Sequence, residues 1–399
     1  MKVLYCILDN RFGGPHRLAH SVSLRLREHG IETIFLTGRK TDDVWQPEGT
    51  TVFHLRHIQC YRRRHPFVNL MLFCLFLPAN VWRIRGIIRS HGIGIVHIDG
   101  VTNLVPALAA WSARTPIVWL YNDHLPAVVH RLLLPVVARL SASVIVQGEK
   151  LKAHRTRGVA GLEAKTTVLH SCTDPAEFDP ARYDSERKGC LKRDLGIPAD
   201  CAVVGMIGNL NRLKGHAYFI QAAARIKEEV RPVRFVIVGR KLDTAPGYWE
   251  QLQRLTTENG LEGDVIYTGF QADVPSLMAI MDVFVLASVL ESCPVVVLEA
   301  MAMGIPVVAT DVGAVSELLA NGTAGTIVPI RDPDAIARAV IEDLTGPPQR
   351  VRAMTQAARG RVEEVFALDK IADRQKDLYE VVHRRSGRRQ PAAPSHSPE

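Results

Sequence analysis

Residues 283–308, VFVLASVLESCPVVVLEAMAMGIPVV, constrain this chain more than any other stretch. The run 283–287 is apolar and rich in β-branched residues, which suits a strand buried on both faces of a parallel sheet. Residues 290–293 break that pattern. Pro294 fits the first turn of a helix, where a missing N–H costs nothing. Residues 295–303 can form that helix despite three valines, which are mediocre helix formers. Gly304 is a good stop, and 305–309 reads as the next strand. Glu291 is thereby expected in the loop at a strand's C-terminal end, and Glu299 on the following helix. Open α/β sheets bind ligands at that edge, beside helix N-termini that favour anions.

Two carboxylates so placed have a chemical use. A carboxylate accepts hydrogen bonds from vicinal hydroxyls in bidentate fashion. One on each side of a phosphate-binding helix end suits a diphosphate flanked by two polyols. The plain alternative is a loop carboxylate facing water and a solvated helix position.

The neighbouring residues weigh on that choice. Ser288, Glu291, Ser292, Pro294, Glu299, Ala300, Met301, Ala302, Gly304, Pro306 to Thr310, Val312 and Gly313 resemble the E-x7-E signature of family 4 retaining glycosyltransferases. The resemblance implies an α/β chain of the GT-B fold: two Rossmann-like, doubly wound domains facing a central cleft, with a C-terminal helix crossing back to the first. It implies that Glu299 holds the ribose of a nucleotide-sugar and that Glu291 contacts the transferred sugar. Backbone N–H groups of Ser292, Cys293 and Val295, on either side of Pro294, would face the diphosphate.

Other segments carry the same resemblance. Residues 201–207 read as a strand, 208–215 (GNLNRLKG) as a loop and 216–229 as a helix. The loop is similar to the family's donor-phosphate loop. Lys214 matches the phosphate lysine, Asn209 stands where the family has arginine, and Arg212 is the candidate substitute. Losing a charge-assisted contact costs about 1.5–3 kcal/mol. Residues 265–270 match a strand whose following backbone meets the nucleotide base, which makes Phe270 a candidate. Near the N-terminus, 3–8 is a strand pattern and 16–29 a helix, separated by a loop with Gly13 and Gly14. Paired glycines permit close backbone approach to a ligand, and this loop resembles one that faces the cleft. Residues 117–120 form a strand leading to His124, which resembles the family histidine near the donor sugar or acceptor. Residues 166–180 resemble the ending of the first domain, with Ser171 and Cys172 in place of asparagine and glycine. Residues 175–198 read as a polar linker.

The expected organisation is an acceptor-side domain over 1–175, a donor-binding domain over 176–365, a closing helix over 366–383 and a disordered tail over 384–399. At 399 residues the chain has room for two such domains. Its 47% hydrophobic and 23% charged residues exclude a disordered chain. The net charge of +8 favours anionic partners. No nucleic-acid recognition motif is present, so nucleic acid is not an expected partner.

Residues 61–89 are unusual: three arginines, an apolar block interrupted by Asn69 and Pro78, then Arg83, Arg85 and Arg89. One reading is a buried helix of the first domain. The other is an interfacial helix lying on anionic lipid. The seven cysteines are scattered without zinc spacing, which fits a reducing cytosol. No signal peptide is expected. The expected location is cytoplasmic, with peripheral contact at the inner face of the membrane.

Together these readings point to a metal-independent retaining glycosyltransferase in surface polysaccharide or glycolipid synthesis. It needs no cofactor, the nucleotide-sugar being a substrate with a UDP or GDP base, and the acceptor is a glycan or lipid-linked. Its expected catalytic residues are Glu291, Lys214 and His124. A non-catalytic scaffold of the same fold and a sugar-nucleotide epimerase stand as alternatives.

Overall fold

The computed structural model describes residues 1–8, 13–38, 46, 47, 49–56, 58, 66–123, 126–242 and 245–387. The chain divides into two compact units: Met1–Leu169 with the chain from Asp369 onward, and His170–Leu368.

The first unit is a parallel seven-stranded sheet in the order β3-β2-β1-β4-β5-β6-β7. Its strands are β1 (Lys2–Cys6), β2 (Glu32–Gly38), β3 (Val52–Leu55), β4 (Ile95–Asp99), β5 (Ile117–Leu120), β6 (Ser143–Val146) and β7 (Thr166–Val168). The connections carry α1 (Gly14–Glu28), α2 (Pro66–Ser90), α3 (Leu104–Ala113), α4 (Ala127–Leu140), α5 (Glu149–Thr156) and the single turn α6 (Leu162–Lys165). Strand order reverses between β1 and β4. Central strands are buried throughout, as apolar runs without alternation require when helices cover both sheet faces. One face holds Leu4, Val96, Trp119 and Val144 against Ile84, Val105 and Leu134 of α2, α3 and α4. The other holds Tyr5, Ile7 and Phe35 against Ala19 of α1.

The second unit is a parallel six-stranded sheet in the order β10-β9-β8-β11-β12-β13. It comprises β8 (Ala202–Ile207), β9 (Val233–Val238), β10 (Val265–Gly269), β11 (Val283–Leu286), β12 (Val307–Thr310) and β13 (Thr326–Val328). Its helices are α7 (Ser185–Asp194), α8 (His216–Glu229), α9 (Tyr248–Glu258), α10 (Val274–Ala279), α11 (Val295–Ala302), α12 (Val315–Leu318), α13 (Pro333–Thr345) and α14 (Pro348–Arg361). The order reverses between β8 and β11, so the loops leaving those two neighbouring strands meet at the C-terminal edge before their helices turn to opposite faces.

Residues 175–198, expected as a linker, belong to this second core. Phe178, Tyr183 and Ile197 are buried in it. The polarity that suggested a linker is helix capping: Asp179 accepts from Ala181 N–H at 3.1 Å and Asp184 from Arg187 N–H at 2.8 Å. A π-helical turn, Val362–Phe366, precedes α15 (Leu368–Gly387). From Asp369 this helix packs into the first unit, where Tyr379 is fully buried and its hydroxyl lies 2.5 Å from His97 Nδ1. The helix runs four residues past its expected end at 383, through Gly387. Residues 388–399 of the expected tail lie outside the described residues.

Candidate functional site

The reversal between β8 and β11 brings the 208–215 and 287–294 loops together. The first forms a tight turn at Arg212–Lys214, capped by Asn211, whose Oδ1 accepts from Leu213 N–H at 2.9 Å. Gly215 follows at φ +75°, and a Cβ there would stand 1.8 Å from the Ala287 carbonyl oxygen. Only glycine allows this approach. The second loop is tied back by Val289 N–H donating to Leu213 O at 2.8 Å.

Within this frame Lys214 Nζ donates to Glu291 Oε1 at 2.7 Å, and Ser288 Oγ donates to the same oxygen at 2.8 Å. Both members of the ion pair are mostly screened from water, with 29% and 13% of their side chains exposed. Ser288 is itself fully buried, and its carbonyl accepts from Thr310 Oγ1 at 2.6 Å. Gly313 supports the loop from the other side: at φ +56°, its Cβ would lie 2.5 Å from Glu291 O and 2.3 Å from Ser292 O. Ser292 O accepts from Ala314 N–H at 2.9 Å. Pro294 is the N-cap of α11, Val295 opens it, and Glu299 is half-buried in its second turn. The first turn of α11 carries no acidic residue, so its N-terminus keeps its partial positive charge.

Cys293 is buried, and burial pushes its thiol up to about 11, out of reactive range. Ser171 Oγ donates to Cys293 O at 3.1 Å and Ser171 N–H to its Sγ at 3.3 Å. Ser171 and Cys172 replace asparagine and glycine of the family pattern without strain, since neither has a positive φ.

Asn209, at the family arginine position, holds neighbouring loops together: its Oδ1 accepts from Arg240 N–H at 3.2 Å. Arg212 lies over the Tyr248 ring, 5.2 Å from its centre, rather than beside Lys214 Nζ. His216 is fully buried with Nε2 3.2 Å from Gly208 O, and burial lowers it to about 4. Phe270 is exposed after β10, with the Arg240 guanidinium 4.7 Å over its ring. Ser288, Arg240 and Gly215 have defined places here that the local sequence did not assign. Gly215 precedes a helix after a basic loop and Ser288 belongs to the E-x7-E resemblance, whereas Arg240 carries no readable cue.

In the first unit, Gly13 is the extended N-cap of α1 and Gly14 opens the helix with no atom within 4 Å of a notional Cβ. Neither glycine is required by the backbone there. His124 lies outside the described residues. Its neighbour Asp123 accepts from Thr102 N–H at 3.3 Å, and burial holds its carboxyl above the usual range. Arg155, buried and stacked 4.5 Å over Tyr121, donates to the Tyr121 and Asp123 carbonyls. Asn122 Nδ2 donates to Asp99 Oδ1 at 2.8 Å. These contacts fix the end of β5 at the C-terminal edge of its sheet.

Among the described residues no three His, Cys, Asp or Glu side chains converge as a metal site.

Two family models match the chain. Glycosyltransferase Family 4 matches residues 12–177, and Glycosyl transferases group 1 matches residues 201–345. An uncharacterized glycosyltransferase of Methanocaldococcus jannaschii is 27% identical over 85% of this chain and 87% of its own length. A lipopolysaccharide core biosynthesis mannosyltransferase of Rhizobium meliloti is 27% identical over 69% of this chain and 80% of its own. Among solved structures, Anabaena HepE in complex with UDP and glucose superposes with a TM-score of 0.79 at 22% identity, covering 96% of this chain and all of that one.

Proposed function

The chain belongs to the family 4 glycosyltransferases and has the GT-B fold; from that premise we propose that it moves a sugar from a UDP- or GDP-linked donor, with retention, to a glycan or lipid-linked acceptor of surface polysaccharide or glycolipid synthesis. The observation that carries this reading is the Lys214–Glu291 pair at the β8/β11 reversal, with Glu299 on the helix that follows. The names of relatives support it: one is a lipopolysaccharide core mannosyltransferase, and one structural neighbour binds UDP and glucose.

In this reading the diphosphate sits at the N-terminal ends of α8 and α11. Charge grows on its leaving oxygen as the sugar departs. Lys214 and the backbone N–H groups of Ser292, Cys293 and Val295 stabilise that charge without reorganising. Glu299 holds the ribose hydroxyls. Glu291 meets the sugar through Oε2, which accepts no hydrogen bond among the described residues, while Oε1 is held by Lys214 and Ser288. Phe270 and Arg240 offer a flat surface for the base. The acceptor attacks from the face the diphosphate leaves, and its proton passes to a departing phosphate oxygen. The reaction then needs no protein nucleophile and keeps the anomeric configuration. Family membership favours this transfer over the epimerase and scaffold alternatives.

The test is thermal stabilisation by UDP, GDP, ADP and their sugar conjugates, with Glu299→Ala in parallel. A ligand that binds only the native state raises the melting temperature by mass action. One base should shift the wild type and not the variant. A folded protein that no nucleotide stabilises at millimolar concentration would overturn the donor site.

A further inference from the structure

The first unit carries an apolar surface remote in kind from its carbohydrate chemistry. Helices α2, α3 and α4 pack on the same face of the sheet: Ile84 and Ile88, Val105 and Ala109, and Leu134 and Val137 share one buried cluster. This is what right-handed crossovers running in one direction along a sheet produce. Their outward sides are not polar. Along α2 the outward stripe is Met71, Leu75, Pro78 and Trp82, at helical spacing, with Leu75 68% and Trp82 75% exposed. α3 adds Trp111 at 65%, and α4 adds Val128 and Leu132, the latter at 69%. Single exposed apolar residues are ordinary, but three neighbouring helices with large apolar side chains outward mark an interaction surface.

The charges around these residues identify the partner. None of the three helices contains an Asp or Glu. Exposed arginines accompany each apolar stripe: Arg83 and Arg89 on α2, Arg114 after α3, and Arg131 and Arg139 on α4. Beside α4 an open basin of about 850 Å³ is lined by Arg131, Arg139 and Arg157 and by no carboxylate. Among the described residues no acidic side chain pairs with these three. Lys165, also at the basin, is committed to the carbonyls of Ala138 and Ser141 at 2.7 and 3.0 Å, closing the end of α4. A surface of bulky apolar groups edged by unpaired arginines complements a layer with an acyl interior and an anionic rim.

We propose that the α2–α3–α4 face lies on an anionic lipid bilayer, with Leu75, Trp82, Trp111 and Leu132 in the headgroup–acyl boundary and Arg131, Arg139 and Arg157 on lipid phosphates. The segment Leu70–Ser90 is long and apolar enough to cross a membrane. Its contacts favour lying on one. Ile84 and Ile88 are buried in the core of the unit, and Asn80, also buried, donates to Arg56 O at 3.1 Å. A crossing helix would have to leave these partners and carry its arginines into hydrocarbon.

The test is flotation of the full chain with vesicles of phosphatidylglycerol and phosphatidylethanolamine, against vesicles of phosphatidylcholine alone. The expected result is binding to the anionic vesicles only, weakened by added salt, with a blue shift of tryptophan emission. Leu75→Glu/Trp82→Glu should abolish the binding, and Arg131→Glu/Arg139→Glu should weaken it at least about ten-fold. Circular dichroism and melting temperature confirm that both variants fold. Binding that survives Leu75→Glu/Trp82→Glu in a folded protein overturns the proposal, as does a lack of wild-type binding. A self-associated chain that Leu75→Glu/Trp82→Glu turns into monomers, with no vesicle binding, would assign the face to a second copy instead. None of these outcomes depends on nucleotide binding, so this surface and the donor site stand or fall separately.

Discussion

Lys214 Nζ and Glu291 Oε1 are 2.7 Å apart although 77 positions separate the residues in the chain. Each sits in the loop that follows one of the two strands flanking the reversal of the second sheet. The pair is prearranged beside two helix N-termini, where a lone lysine would be free to sample water. Replacing Lys214 with alanine should lower kcat by about 10²–10³-fold, the usual loss when one preorganised donor to developing charge is removed. Lys214→Arg should restore little, because a planar fork does not fit the space of a point charge. Steady-state kinetics of nucleotide release with a saturating acceptor check this. A Lys214→Ala enzyme within three-fold (~0.7 kcal/mol) of wild type would remove the residue from catalysis.

Gly215 tests the architecture rather than the chemistry. Its φ of +75° and the 1.8 Å gap between a Cβ and Ala287 O mean that Gly215→Ala must separate the two loops. Gly304 has a similar φ of +67° but no atom within 4 Å of a Cβ. Gly304→Ala should therefore cost only the left-handed backbone penalty, about 1–2 kcal/mol. Gly215→Ala should cost more and also weaken donor binding. Chemical denaturation of both variants, with nucleotide titration, separates the two effects.

The buried His216 makes the second unit acid-sensitive. Burial lowers its folded-state value to about 4, below the unfolded value of 6.5. Between those values the unfolded chain binds more protons, so stability rises with pH from 4 to 6.5 and is lost as pH falls through that window. The loss is on the order of 3 kcal/mol at most. His216→Gln should flatten the dependence of the urea midpoint on pH over this range. An unchanged slope would show that His216 does not control it.

In the first unit, Tyr379 OH lies 2.5 Å from His97 Nδ1 and accepts from Gln375 Nε2 at 2.8 Å. Tyr379→Phe leaves two buried polar groups without this partner. It should destabilise the unit by about 1–3 kcal/mol, measurable by denaturation, with nucleotide affinity unchanged.

Much of this protein is legible along the chain because its sheets are parallel. Strands such as 283–286 and 117–120 are buried on both faces and read as unbroken apolar runs, and Pro294 and Gly304 mark the ends of the helix between two of them. The carboxylates Glu291 and Glu299 stand out because they interrupt such a pattern. Other features obey rules that local sequence does not express. The polar stretch 175–198 looks like a linker because capping aspartates and solvated aspartates are the same residue type. Only packing buries Phe178, Tyr183 and Ile197 between them.

Local chemistry was enough to specify strands, turns and the residue types at the sheet edge, because these depend on neighbours within a few positions. Tertiary structure alone decided which of those residues meet. Lys214 matched the phosphate lysine and Arg212 stood as the substitute for the missing arginine, and the turn at 212–214 sends the arginine onto Tyr248 and the lysine to Glu291. The same holds for α2, whose apolar residues read as core or, alternatively, as surface. Its Ile84 and Ile88 turn inward onto the sheet face that α2 covers, and its Leu75 and Trp82 turn outward. Contact between distant segments is set by strand order and the shape of the packed core, and neither is written in any one stretch of the chain.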